Sequence, residues 1–476
     1  MGVTGHVTEE NSKLSHSIQI VSPVNGEVYS QHSLSDQQQV TDAALRAQQA
    51  QAQWAQVPMR DRQMICRRFM RLFDQQRQQI VNELAWLMGR PVAVGSGEVN
   101  GVIERSTYLI DVAPEALADQ HFDDLAGFDR WASREPLGVV FIIAPWNYPY
   151  LTSINSIVPA LLAGNAVLLK HASQTTPCAN RLADTFSAAG LPDDLLVPLA
   201  MSHSVAAALI GGSVVDQVVL TGSVEAGRTI QKAAADRFIG VATELGGKDP
   251  AYVRADADLA HTVPALVEGS FFNSGQSCCA IERIYVHAGI FDEVVELFVA
   301  ETNRLVLGNP LDPTTTLGPM VTARAADQVR LQVADAVQAG ARSLIDASDF
   351  PGDTPGTAYM APQVLIDVDH QMALMTEETF GPAIGIMSVA DDAEAVRLMN
   401  DSRYGLSASV WSRDPDAVRS IDHGLQTGTV FMNRCDYLDP MLPWVGVKDT
   451  GRGCSLSKWG FLALTRPKSH HYRLPT

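Results

Sequence analysis

Two adjacent thiols, Cys278 and Cys279, close a run that reads Phe271-Phe272-Asn273-Ser274-Gly275-Gln276-Ser277-Cys278-Cys279-Ala280. Asn273 to Ser277 form a polar stretch expected as a loop that a small molecule can reach, because a sealed core would strand its backbone groups. A reachable cysteine is a candidate nucleophile and a sealed one is a small hydrophobe; the thiols alone leave both readings open. Glu244 stands in Val241-Ala242-Thr243-Glu244-Leu245-Gly246-Gly247-Lys248-Asp249-Pro250. Its glycines admit close backbone approach, so a partly desolvated carboxylate there suits a general base, although it could equally cap a turn. Asn147, in Ile143-Ala144-Pro145-Trp146-Asn147-Tyr148-Pro149, ends an apolar run in a rigid loop that could aim an amide at an oxyanion, or merely satisfy a turn. In Leu220-Thr221-Gly222-Ser223-Val224-Glu225-Ala226-Gly227, Ser223 is a natural N-cap that leaves helix amides free to face a pyrophosphate. That stretch is not G-x-G-x-x-G and is weak as a lone signal.

The elements that must hold these residues are legible as apolar runs. Gly138 to Ala144, Ala166 to Lys170, Val214 to Leu220 and Ala251 to Val253 have strand length and no polar face. Helical stretches at Leu151 to Leu162, Pro177 to Ala189 and Val224 to Arg237 separate them. The alternation predicts an α/β fold with a doubly wound parallel sheet, which receives nucleotides beyond the carboxyl ends of its strands. After about Pro250 it resumes: a helix over Leu259 to Phe272, a strand over Ile281 to His287, a helix over Asp292 to Val306, and strands near Ile384 to Val389 and Ser407 to Trp411. The thiol loop joins the first helix and first strand of this second α/β domain. Upstream, helical periodicity covers Asp42 to Met88 and Glu98 to Ala113, and Phe128 to Glu135 alternates like an exposed ribbon ending at Pro136. Arg466 to Arg473 reads as an extended edge strand of the kind that pairs with a subunit.

Composition narrows the function classes. The chain has 476 residues, 46% hydrophobic and 18% charged, an ordinary globular balance that is long enough for two domains. Against 53 acidic residues stand 35 basic ones, and the formal charge of −18 repels phosphate backbones and anionic lipid, so neither nucleic acid nor a membrane is an expected partner. Six scattered cysteines without a C-x-x-C pair suggest neither disulfides nor a metal site, and fit reduced thiols in the cytoplasm. Met1 to Ser17 is polar, lacks the apolar core of a secretory signal, and is expected to be loose at its start.

Together these stretches resemble the aldehyde dehydrogenase superfamily. Pro145-Trp146-Asn147-Tyr148-Pro149, Glu244-Leu245-Gly246-Gly247-Lys248, Phe272-Asn273-Ser274-Gly275-Gln276-Ser277-Cys278 and Glu377-Glu378-Thr379-Phe380-Gly381-Pro382 occur in the family's order. The likeness runs from Ser22-Pro23-Val24-Asn25-Gly26-Glu27 to Gly451-Arg452-Gly453. It implies NAD(P)-dependent oxidation of an aldehyde to the carboxylic acid. Cys278 would be the nucleophile, Asn147 with the Cys278 N–H the oxyanion site, and Glu244 the base that activates water against the thioester. Cys279 would be a bystander able to trap Cys278 as a disulfide.

The resemblance also places Lys170 on the adenosine ribose, Glu378 on the nicotinamide ribose, Phe380 against the nicotinamide and Gly222 with Ser223 at the pyrophosphate. Trp146, Gly227 and Leu245 complete that cleft. NAD-restricted members carry Glu three residues after the lysine, whereas Lys170 is followed by His171-Ala172-Ser173. A carboxylate there repels a 2′-phosphate and a serine can donate to it, so NADP is expected to be accepted, alongside NAD.

The implied substrate tunnel contains Tyr148, Thr152, Asn155, Cys279, Arg434, Asp436, Tyr437 and Trp444. Arg434 could read the carboxylate of a semialdehyde such as succinic semialdehyde, against the plainer reading of a solvated or Asp-paired side chain. The implied organisation is a discontinuous dinucleotide-binding domain over 1–117 and 137–248, and a catalytic domain over 249–450. A β-ribbon oligomerisation arm over 118–136 and 460–476 would make a homodimer or homotetramer.

Overall fold

Every side chain of the strand Val139–Ala144 is apolar, so it must be covered on both faces and belongs in the middle of a sheet. In the computed structural model, which describes residues 17–475, it is flanked in parallel by Ala166–His171 and Gln217–Thr221. Phe141 lies opposite Leu168 on one side and Val218 on the other. The full sheet has six strands in the order Gly451–Arg452, Gly240–Glu244, Gln217–Thr221, Val139–Ala144, Ala166–His171, Leu196–Pro198, and only the first is antiparallel. Winding reverses between Val139–Ala144 and Gln217–Thr221, which opens a crevice at their carboxyl ends.

A second sheet has seven strands in the order Arg342–Ser343, Gln363–Ile366, Ala383–Val389, Ile281–His287, Asp249–Val253, Ser407–Trp411, Thr429–Met432. All are parallel except Arg342–Ser343. Alternate side chains divide its core: Tyr252 and Tyr285 pack with Leu365, Leu374 and Leu398, while Ala251, Val253, Ile284 and Val286 face Leu266, Phe298 and Trp411. The chain passes from Gly240–Glu244 to Asp249–Val253 through Leu245 to Lys248 with no helix between. The carboxyl ends of the first sheet therefore meet the amino ends of the second, and the thiol loop enters Ile281–His287 at the same level.

Thr465–Arg473 pairs antiparallel along its whole length with Phe128–Pro136, and Gln120–His121 adds a short third strand. One edge of the terminal strand is thus taken by this chain's own ribbon; its other edge carries no strand among the described residues. The expected helix from Asp42 to Met88 is three helices, Gln37–Trp54, Met59–Gln75 and Arg77–Met88. Pro58 makes the first break, because its ring cannot continue a helix. The expectation for the first residues falls almost wholly outside the described chain.

Candidate active site

Helix Leu259–Phe271 ends in a turn where Asn273, Ser274 and Gly275 all take left-handed backbone angles. Gly275 is required there, because a Cβ would come within 2.3 Å of the Gly381 carbonyl oxygen. Contrary to the expectation of an exposed loop, Asn273 to Ser277 are buried. Side-chain pairing removes the cost of burying them. Gln276 Oε1 accepts from the Val321 N–H at 2.8 Å, its Nε2 donates to the Asn273 carbonyl at 3.0 Å, and Ser274 Oγ donates to the Gly318 carbonyl at 2.8 Å. Cys278 alone of the thiol pair stays partly open, on a cavity of about 270 Å³.

Two segments converge on it. The Asn147 Nδ2 donates to the Gln276 carbonyl at 3.1 Å, which holds the amide beside the thiol loop and leaves its second N–H free of that bond. A Cβ on Gly247 would come within 2.5 Å of the Cys278 carbonyl oxygen, so the glycines after Glu244 let that strand end touch the loop. Burial raises the Glu244 carboxyl above its ordinary range, opposed in part by the Ser455 and Thr221 hydroxyls and the Arg105 guanidinium. The Ser455 Oγ, though near enough to act on that charge, makes no hydrogen bond of regular geometry. A space of about 10 Å³, the size of one water, lies between Glu244, Asn155 and Ser455.

The second thiol has a different setting. Cys279 is buried and donates to Asp436 Oδ1 at 2.8 Å, and the thiol of Cys278, followed by its own burial, raises it well above the usual thiol range. Burial pushes Asp436 up to about 6 even though Cys279 and Ser277 both donate to it. Tyr148 also lines the cavity, with the Arg90 guanidinium 4.5 Å from its ring centroid.

The residues expected to hold a dinucleotide gather at the crevice. Trp146 meets Phe380 edge-on at 5.6 Å, and Glu378 Oε1 accepts from the Gly247 N–H at 3.0 Å. Burial and the nearby Glu282 carboxylate raise Glu378 to about 7. Lys170 is buried at the end of its strand, makes only a 3.4 Å contact to the His171 carbonyl, and has its pKa lowered by burial. Ser223 caps helix Val224–Ala233 by accepting from the Ala226 N–H at 3.2 Å, and Ser173 is exposed at the start of a short turn. A Cβ on Gly227 would come within 2.7 Å of the tip of the Leu245 side chain, so a glycine there lets the helix lie close against the Glu244 segment. An unpaired cation, capped helix amides and close-packed glycines are what a phosphate-bearing dinucleotide needs, and the donor set fits one.

Of the expected tunnel residues, Tyr148, Thr152, Cys279, Asp436 and Tyr437 line the cavity with Cys278. Three do not. Arg434 is exposed, stacks 3.6 Å from the Tyr437 ring centroid, and borders an adjoining cavity of about 350 Å³. Asn155 lies behind the wall and accepts from Arg105 Nη1 at 3.1 Å. Trp444 is buried, bridged to Ser455 through its backbone.

Residue-by-residue reading missed the buried charges that organise the site. Arg90 donates to Glu98, to the Asn147 carbonyl and to Asn273 Oδ1. Glu98 in turn accepts from the Tyr150 and Leu151 N–H groups at 2.8 and 3.1 Å, closing the first turn of helix Pro149–Ala163 directly after Asn147. Glu282 accepts from the Thr379 and Phe380 N–H groups, both at 2.8 Å, and pairs with Lys248 at 2.8 Å. Arg105 and Glu98 both sit on the apolar stripe Val99, Val102, Leu109, Ala113 of helix Val92–Ala116. A charge on an otherwise apolar helical face was the available signal.

A family model described as "Aldehyde dehydrogenase family" matches residues 8–470. The protein named succinate-semialdehyde dehydrogenase (NADP(+)) 1 of Mycobacterium tuberculosis is 34% identical over 445 residues, which span 93% of this chain and 97% of that protein. The succinic semialdehyde dehydrogenase of Streptococcus pyogenes, solved with NADP+, superposes with a TM-score of 0.91 at 26% identity over 96% of this chain and 100% of that one. The betaine aldehyde dehydrogenase of Staphylococcus aureus, solved with NAD+, gives a TM-score of 0.91 at 27% identity over 97% and 92%.

Proposed function

Because the chain belongs to the aldehyde dehydrogenase family and oxidises an aldehyde with NAD or NADP, we propose that Cys278 carries the substrate carbon through both halves of the reaction. The observation that bears most weight is the convergence on one partly open thiol of the Asn147 amide and the Glu244 strand end.

The Cys278 thiolate attacks the carbonyl carbon and a C–S bond forms; the oxygen, now an anion, takes hydrogen bonds from the free Asn147 N–H and the Cys278 backbone N–H. Bound NADP or NAD supplies the acceptor for the hydride that leaves this carbon. Glu244 then takes a proton from water, whose oxygen adds to the thioester carbon; the C–S bond breaks, releasing the acid and restoring the thiolate. Lys170, Ser173, Ser223 and Glu378 would hold the dinucleotide, with Gly222, Gly227, Trp146, Leu245 and Phe380 shaping its cleft.

We further propose that the substrate is a semialdehyde and that NADP is preferred. The names of the Mycobacterium and Streptococcus relatives support both, and Ser173 supports the second, since no carboxylate stands at that position to repel a 2′-phosphate. Six unpaired cysteines support a reducing, cytoplasmic setting. The same reading divides the chain into a dinucleotide-binding part over 1–117 and 137–248, a catalytic part over 249–450, and an arm that joins two subunits. Reduced-nicotinamide absorbance, followed with succinic semialdehyde and uncharged aldehydes against NADP and NAD, tests these points together. A higher kcat/KM with NAD than with NADP would refute the cofactor preference.

A further inference from the structure

We infer that Arg105 is the group by which this site selects an aldehyde bearing a carboxylate at its far end. The inference rests on the aldehyde-oxidising reading of the Cys278 site and names its substrate determinant.

Three arginines stand near the thiol, and their partners separate them. Arg90 is spent, since its guanidinium is bonded to Glu98, the Asn147 carbonyl and Asn273. Arg434 is exposed, lies over Tyr437, and borders a different cavity. Arg105 is only 7% exposed, lines the same cavity as Cys278, and makes a single hydrogen bond, from Nη1 to Asn155 Oδ1. No ion pair among the described residues includes it. Glu244, Glu104 and Asp436 act on its charge from a distance without bonding to it.

A guanidinium stays protonated and carries five donors in a planar fork. Burying that charge with one neutral acceptor is unfavourable unless another partner arrives, and burial indeed lowers the Arg105 pKa. Asn155 fixes one arm of the fork, and among the described residues the remaining donors have no acceptor. A carboxylate entering the cavity satisfies them with charge-assisted, potentially bidentate bonds. A plain alkyl aldehyde of the same length leaves the cation unpaired. The wall beside it is apolar and aromatic, supplied by Leu151, Phe272, Tyr148 and Leu438, which suits a short methylene chain between the two ends.

The test compares kcat/KM for succinic semialdehyde and for butanal, which share a four-carbon chain and differ in the terminal carboxylate. The wild-type enzyme favours the semialdehyde. Losing the charge-assisted bonds in Arg105→Met lowers the ratio of the two efficiencies by about 30-fold, mainly through the KM of the semialdehyde, and Arg105→Lys recovers part of it. Should Arg105→Met fail to fold, Asn155→Asp gives an independent reading: it sets a fixed carboxylate on the guanidinium, and the ratio falls in the same direction. A merely structural arginine would depress both substrates together, so ratios that stay near the wild-type value in these variants overturn the assignment. A wild-type enzyme that does not distinguish the two substrates also overturns it. Turnover of neither substrate refutes instead the reading of the site on which the inference rests.

Discussion

Cys278 and Cys279 are chemically identical and adjacent, yet their surroundings give them different work. Cys279 is buried against Asp436 and held protonated, while Cys278 opens on the cavity from a loop held against Asn147 and the glycines after Glu244. Glu244 makes the first prediction. Only its ionised form can take a proton from water, and burial raises its pKa, so the base is lost as pH falls at a value above the ordinary carboxylate range. The pH profile of kcat, where thioester hydrolysis limits it, should fall on its acid side with an apparent pKa above that range. Removing the base in Glu244→Gln should cost about 10²–10⁴ in kcat. Ser173 makes the second: a carboxylate within several ångströms of a 2′-phosphate is repelled, so Ser173→Glu should shift the NADP-to-NAD efficiency ratio toward NAD by at least about tenfold in steady-state assays. The motif residues were legible because their types and local order carry the signal. Arg105 was legible only in part: the apolar stripe of its helix marks a buried face, but the absence of a partner is not written locally. Arg434 does not line that cavity: its guanidinium is exposed and stacks on the Tyr437 ring.

Among elements, Val139–Ala144 is legible with little error because it is a continuous apolar run. Ile281–His287 and Ser407–Trp411 have the expected bounds. Gln363–Ile366 and Thr429–Met432 went unseen, each being four residues and too short for a pattern. The break at Gln76 has no glycine or proline to announce it; the Gln76 side chain instead bonds Thr185 and Arg181 across the fold. The element that matters most for the chemistry is helix Val92–Ala116, which uses Glu98 to hold Arg90 and to close the first turn after Asn147. Glu98→Ala would leave a buried guanidinium without its counter-ion and orphan two helix amides. It should destabilise the protein by about 3–5 kcal/mol in denaturant titration and lower kcat by loosening the Asn147 loop.

The whole molecule places one thiol where two sheets meet end to end, so substrate and dinucleotide can approach it from opposite sides. Among the described residues Thr465–Arg473 leaves one edge unpaired in a three-stranded sheet, and its Tyr472 is exposed. If that edge is the arm that joins subunits, light scattering should give at least twice the chain mass of 51.4 kDa, and a monomer would exclude it. Glu244→Gln enzyme mixed with oxidised cofactor and aldehyde should accumulate a covalent acyl adduct, and peptide mass spectrometry should place it on Cys278. An adduct on Cys279, or undiminished turnover by Cys278→Ala, would contradict the account.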